Sequence, residues 1–111
     1  MATHYPDYDR DKFYLHNAVK LSELRPNSFY IPSPESRCGI EAGAVVKLSF
    51  CFADPEGSGW DYDTERMWVI ATERFDDHWI GELNNHPYYN PGVIEAGALF
   101  HFHPDHIIAI E

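Results

Sequence analysis

At 111 residues, with 44% hydrophobic and 15% aromatic side chains, the chain has the length of one domain and enough apolar surface for one core, which excludes a wholly disordered tail. Its 18 Asp and Glu against 8 Lys and Arg leave a formal charge of -10; such a surface repels phosphate backbones, argues against direct nucleic-acid binding and suits a basic partner. No apolar run approaches the ~18 residues of a membrane span, no secretory h-region opens the sequence, and Cys38 and Cys51 have neither disulfide-framework nor zinc spacing, so no membrane and a reducing cytosol are expected.

Residues 1–28 mix Asp7, Asp9 and Asp11 with Tyr5, Tyr8, Phe13 and Tyr14 without a sustained period. They read as an N-terminal arm whose aromatic rings pack on the core, with room for a short helix from Leu15 to Leu24. In FYIPSPESRCGIEAG, Ser33 is placed to cap a helical turn, with Pro34 at its first position and Glu35 in its first turn.

From Ala44 the period becomes two. AVVKLSFCF puts Val46, Leu48, Phe50 and Phe52 on one face and Val45, Lys47, Ser49 and Cys51 on the other, the pattern of a half-buried strand. ADPEGSGWDYDTE, with one Pro, two Gly and five carboxylates, is a long loop. RMWVIATERF then reads as a central strand buried on both faces in its first half, and Asp76 with Asp77 as the turn of a hairpin into HWIGEL, where Gly81 marks a bend or bulge. NNHPYYNPGVIEAG breaks the sheet before ALFHF and a closing HIIAI.

No internal repeat is read along the chain. The elements sum to an N-terminal arm over 1–28 and a single domain over 29–111. The fold class expected is mainly β with one or two short helices: a small, strongly bent antiparallel sheet or SH3-like barrel of about five strands.

The ending HFHPDH, His101 to His106, has the spelling of a metal motif. On a strand His101 and His103 share a face while Phe100 and Phe102 point into the core, and a catalytic zinc would need Asp105 or His106 to complete its ligands. The spelling resembles that of the metallo-β-lactamase superfamily, but that fold is roughly twice as long and takes further ligands downstream, where only five residues follow here. His103 to Asp105 echoes the J-domain loop without the long helices around it. The reading adopted is therefore a strand end: Pro104 stops the strand, Asp105 forms an Asx turn, and no metal, cofactor or catalytic residue is assigned. Ser33, Ser36, Ser49 and Ser58 lack a nucleophile elbow, and no phosphate-binding glycine loop is present.

The run ERMWVIATERFDDHWIGELNNHPYY, followed by AGALFHFHPDHII, resembles the YegJ-like bacterial family of small proteins of unknown function. The matching positions are Trp68, Val69, Thr72, Gly81, Leu83, Asn85, Pro87, Gly97, Phe102 and Ile107, and upstream Gly43, Val46, Lys47, Leu48 and Phe50. The likeness spans about Phe29 to Ile110 and is most distinctive in G-x-L-x-N-x-P. It implies a compact β fold and carries no activity or catalytic residue with it.

The function expected is that of a non-enzymatic protein-binding module, an immunity-type inhibitor of a basic bacterial toxin or nuclease. Its contact residues are Asp54, Glu56, Trp60, Asp61, Tyr62, Asp63 and Glu65, two aromatic anchors among five carboxylates. Two alternatives stand beside it. One is a small metal-binding protein or metal-dependent hydrolase using His101, His103 and His106, with His78, His86 or Glu95 brought close by folding. The other is a phage or mobile-element inhibitor that mimics nucleic-acid charge.

Overall fold

The computed structural model describes residues 4–53, 64–88 and 90–111. Among these residues six antiparallel strands form one sheet: β1 (Tyr14–Leu15), β2 (Val45–Cys51), β3 (Thr64–Phe75), β4 (His78–Leu83), β5 (Leu99–Phe102) and β6 (Ile107–Ile110). Among the described residues three short helices accompany it, α1 (Tyr8–Asp11), α2 (Ala18–Leu24) and α3 (Pro34–Cys38), with a 3-10 turn at Pro104–His106. β2 to β5 follow one another as a meander, while β6 and β1 share the outer edge of β2, β6 along Val46 to Leu48 and β1 at Phe50 and Cys51.

That topology forces curvature. The chain passes from β5 at one margin to β6 at the other through one 3-10 turn. Across a flat sheet the two strands would stand four spacings of ~4.8 Å apart, more than so short a turn can bridge at ~2 Å rise per residue. The sheet is accordingly a strongly curled half barrel, and the mainly-β expectation holds. Its concave side carries Val46, Leu48 and Phe50 of β2, Met67 and Val69 of β3, Phe100 and Phe102 of β5 and Ile107 of β6, all buried.

The alternation of β2 holds in its first half, where Val46 and Leu48 are inside and Val45 and Lys47 only half-buried, but not in its second: Ser49 and Cys51, expected on the outer face, are buried along with Phe50, because β1 covers that end of the strand. The hairpin is also as read, since Phe75 pairs with His78 across Asp76 and Asp77, with Asp76 at φ 46° as primed turns require. α3 begins as expected, Ser33 Oγ accepting the Ser36 N–H at 3.2 Å with Pro34 in the first turn. β3 is central but departs from expectation in burial: Met67, Val69 and Ala71 are buried, whereas Trp68 and Ile70 are half-exposed. The Trp68 ring is partly covered by a single cation, the Lys47 ammonium 4.8 Å from its centroid, a contact that tolerates water. The helix expected from Leu15 starts at Ala18, because the Asn17 side chain caps it by accepting the Lys20 N–H, while Leu15 is drawn into the sheet opposite Phe50.

The reading of no internal repeat is corrected. Ile40-Glu41-Ala42-Gly43-Ala44 and Ile94-Glu95-Ala96-Gly97-Ala98 are the same pentapeptide, and both fold alike. Each isoleucine is buried, and each glycine sits at positive φ, 94° for Gly43 and 92° for Gly97. Gly43 donates to Ala71 C=O at 2.7 Å while Ala71 N–H donates to Ala44 C=O at 2.8 Å; Gly97 donates to Leu83 C=O at 2.7 Å while Leu83 N–H donates to Ala98 C=O at 2.9 Å. Two residues thus oppose one, a glycine bulge that leads β2 onto β3 and β5 onto β4. The four strands are related by a pseudo-two-fold axis through the β3–β4 hairpin.

The distinctive G-x-L-x-N segment has structural work. Leu83 is buried, and Asn85 Oδ1 accepts the Trp68 N–H at 3.0 Å just after β4 ends, while Asn84 N–H donates to Trp68 C=O. Asn85→Ala leaves that strand amide without its acceptor and is expected to cost about 1–2 kcal/mol in urea unfolding. Asn85→Asp, which keeps an acceptor, should recover most of the loss, and equal stability of the Ala variant would show the bond to be dispensable.

Candidate functional site

Of the seven expected contact residues, Asp54, Glu56, Trp60, Asp61, Tyr62 and Asp63 lie outside the described residues. Glu65 lies within β3, faces Phe50 of β2, is 9% exposed and accepts the backbone N–H of Tyr88 through its carboxylate. Its side chain therefore ties the segment after β4 to the start of β3. What the described residues show of the acidic connection is its root: Cys51 and Thr64, the last residue of β2 and the first of β3, are paired across the ladder. Cys51 is fully buried, so both ends of 52–63 leave from a rigid two-strand base.

Among the described residues a polar cluster lies elsewhere, where the hairpin tip, β5 and the 3-10 turn meet the N-terminal segment. His78 Nδ1 lies 3.2 Å from Asp77 Oδ1, and His78 Nε2 lies 2.9 Å from His101 Nδ1. That nitrogen pair needs one lone pair, so the contact survives only while at most one of the two rings is protonated. Burial, then the neighbouring His78 and His4, lower the pKa of His101, and the hydrogen bond from His78 lowers that of Asp77. Tyr5 lies against the cluster, its ring centroid 5.2 Å from that of His78, 5.9 Å from His101 and 6.1 Å from His106. His101 N–H donates to His4 C=O at 2.8 Å.

Within the turn the imidazoles replace the Asx cap expected of Asp105. His103 Nδ1 accepts the Asp105 N–H at 3.0 Å, and His106 Nδ1 accepts the His103 N–H at 2.9 Å. Asp105 instead reaches the buried Arg37 of α3, with 3.2 Å between Oδ1 and the guanidinium, while Arg37 also donates to Pro32 C=O. Burial first, and the His103 charge second, push the pKa of His106 down to about 4, against a smaller upward pull from Asp105. Tyr5, Leu15, Asn17, His103, Asp105 and His106 border a cleft of about 420 Å³.

As a ligand set the cluster is spoken for. His103 and His106 each commit Nδ1 to a backbone amide. Folding brings His78 to His101 but leaves His86 and Glu95 together at a different, shallow cavity. Among the described residues no three His, Cys, Asp or Glu side chains are arranged to hold a metal, and no helix is long and apolar enough to cross a membrane. What the cluster does chemically is lock the connection between β5 and β6. Sequence reasoning found its histidines but not their jobs, which depend on the Asp77, Tyr5 and Arg37 side chains that folding delivers. No protein-family model, no curated protein and no solved structure matches this chain.

Proposed function

We propose that this chain is a non-enzymatic protein-binding module, an immunity-type inhibitor acting in the bacterial cytoplasm on a basic toxin or nuclease. The observation that carries the reading is the acidic connection. Residues 54–63 hold four carboxylates with Trp60 and Tyr62 and no lysine or arginine, and their base is the closed ladder pair Cys51 and Thr64. A concentrated negative segment on a rigid stem steers a cationic partner and orients it before contact, and aromatic side chains supply the contact energy. Glu65, buried against the fold, is not part of that surface.

Capture with the purified chain as bait should retain a basic protein that elutes as salt rises. With that protein in hand, Asp61→Asn combined with Asp63→Asn should slow association several-fold at low salt and flatten its salt dependence, because the steering field is lost beyond about 10 Å at 0.1 M ionic strength. An association rate unaltered at low ionic strength would remove the acidic connection from the interface.

A further inference from the structure

Residues 4–6 cross the edge of β5. His101 N–H donates to His4 C=O at 2.8 Å, so the segment lies on the side of β5 away from β4. Pro6 borders both the 420 Å³ cleft and a second cavity of about 670 Å³ walled in part by Phe13, Ile94 and Phe100, and the segment thus separates two hollows. Its attachment is uneven. Past α1 the chain is fixed by Phe13, buried against the rings of Phe50, Phe52 and Phe100. Ahead of α1 the hold on the domain comes from the His4 bond and from the Tyr5 ring, which lies on His78, His101 and His106.

The imidazoles beneath Tyr5 serve as hydrogen-bond acceptors. His106 Nδ1 accepts the His103 N–H, His103 Nδ1 accepts the Asp105 N–H, and of the facing nitrogens of His78 and His101 one must accept from the other. A proton on an accepting nitrogen sets donor against donor. The surrounding charges do not offset several such protons. The hairpin brings Asp77, exposed, 3.2 Å from His78 and 3.9 Å from His103. The 3-10 turn brings Asp105, which is shared with the Arg37 guanidinium of α3. On the segment's own side Asp11 is 3.0 Å from His4 and 3.8 Å from Arg10, and Glu95 faces the larger cavity. α2 packs on the turn with Lys20 and Glu23 exposed, His16 is bonded to Ser49, and the uncharged Leu15 and Asn17 complete the cleft.

We propose that residues 4–6 are an acid-released strap, closed on β5 while the histidines beneath Tyr5 are neutral and lifted when they are protonated, which joins the two hollows along β5. The sign follows from burial. The pKa of His106 is pushed down to about 4 and that of His101 is lowered as well, chiefly by burial, and lifting the strap returns both rings toward water, where imidazole titrates near 6.5. The lifted form binds protons that the closed form refuses, so the strap is held above about pH 6.5 and is released as the pH falls toward 4. The attraction of an imidazolium for the Tyr5 ring face opposes release, but one ring serves one cation and not three. The His4–Asp11 contact lies within the N-terminal segment and does not hold it to β5.

Hydrogen exchange of the His101 amide in the full chain reads the strap directly. Its protection, corrected for the intrinsic rate, should fall at least about tenfold between about pH 7.5 and 4.5. That loss should be insensitive to urea below the unfolding transition, because lifting three residues exposes little surface. The Ala71 amide, bonded to Ala44 within the sheet, should show the full urea dependence of unfolding. Tyr5→Ala, at a partly exposed position, should leave the His101 amide poorly protected already at about pH 7.5, with less than about a twofold change on acidification. Tyr5→Phe keeps the ring and should follow the parent, and His106→Asn should reduce the pH dependence at least about threefold. Equal protection at both pH values, a loss at His101 that grows with urea in step with Ala71, or a parent-like pH dependence in Tyr5→Ala or His106→Asn would each overturn the proposal.

Discussion

Gly81→Ala is expected to lower the melting temperature by about 10 °C. A Cβ built on Gly81 stands 2.5 Å from Val69 Cγ1 and 2.9 Å from two ring carbons of Phe102. Neither neighbour has room to retreat, since both are fully buried, and Gly81 is paired to Phe100 on one side and Ala71 on the other. Overpacking of this kind costs about 1–3 kcal/mol, and with two rigid partners the upper end applies. At roughly 4 °C per kcal/mol for a domain of this size, that gives the stated drop. Val69→Ala in the same chain removes the closest atom, so the double variant should be more stable than the sum of the two single losses implies, by about 1 kcal/mol. A Gly81→Ala chain that melts within about 2 °C of the parent would mean that the sheet flattens there at little cost.

Stability is expected to fall by roughly 3 kcal/mol as pH drops from 6.5 to 4, chiefly through His106. Its imidazole has an ordinary pKa of 6.5 and a folded value of about 4. Between those limits the unfolded chain binds a proton that the folded chain refuses, so acidification favours unfolding until about pH 4 and adds nothing further below it. His101 and His16, both lowered by burial, act with the same sign. The exposed Asp77 matters only at lower pH, where protonation of a depressed carboxyl also favours unfolding. His106→Asn offers an amide oxygen to the His103 N–H and cannot titrate. Urea unfolding at several pH values should therefore show a flatter profile for this variant between pH 6.5 and 4, and an unchanged slope would assign the acid sensitivity to other groups.

Several features were legible because they are local. The period-two start of β2, the Asp76-Asp77 turn into β4 and the Ser33-Pro34 helix start each depend on neighbours within a few residues, and each has the form read from it. The pentapeptide repeat was also present in the letters. Five residues are too few to stand out against turn composition, and their common meaning, a positive-φ glycine opposite a single residue of the next strand, exists only once β3 and β4 are in place. β1 carries no signal of its own, since two residues cannot show a period, and the letters join Leu15 to the helix that follows. At the candidate sites, Glu65 illustrates the limit: beside acidic neighbours it reads as surface charge, yet its place in the β2–β3 register turns it inward toward the Tyr88 amide.

By itself the sequence determined the class of the fold, the strand spacing, the hairpin and the negative charge, because side-chain periodicity and turn chemistry act over a few bonds. Only the tertiary structure decided that β6 returns to β2, that the N-terminal segment meets β5 at His101, and that the terminal histidines cap a turn against Tyr5, Asp77 and Arg37. Those outcomes hinge on which backbone edges meet. A ladder hydrogen bond is chemically the same whatever the side chains beside it, so the choice of partner strand is written in the closure of the whole sheet and not in any one segment.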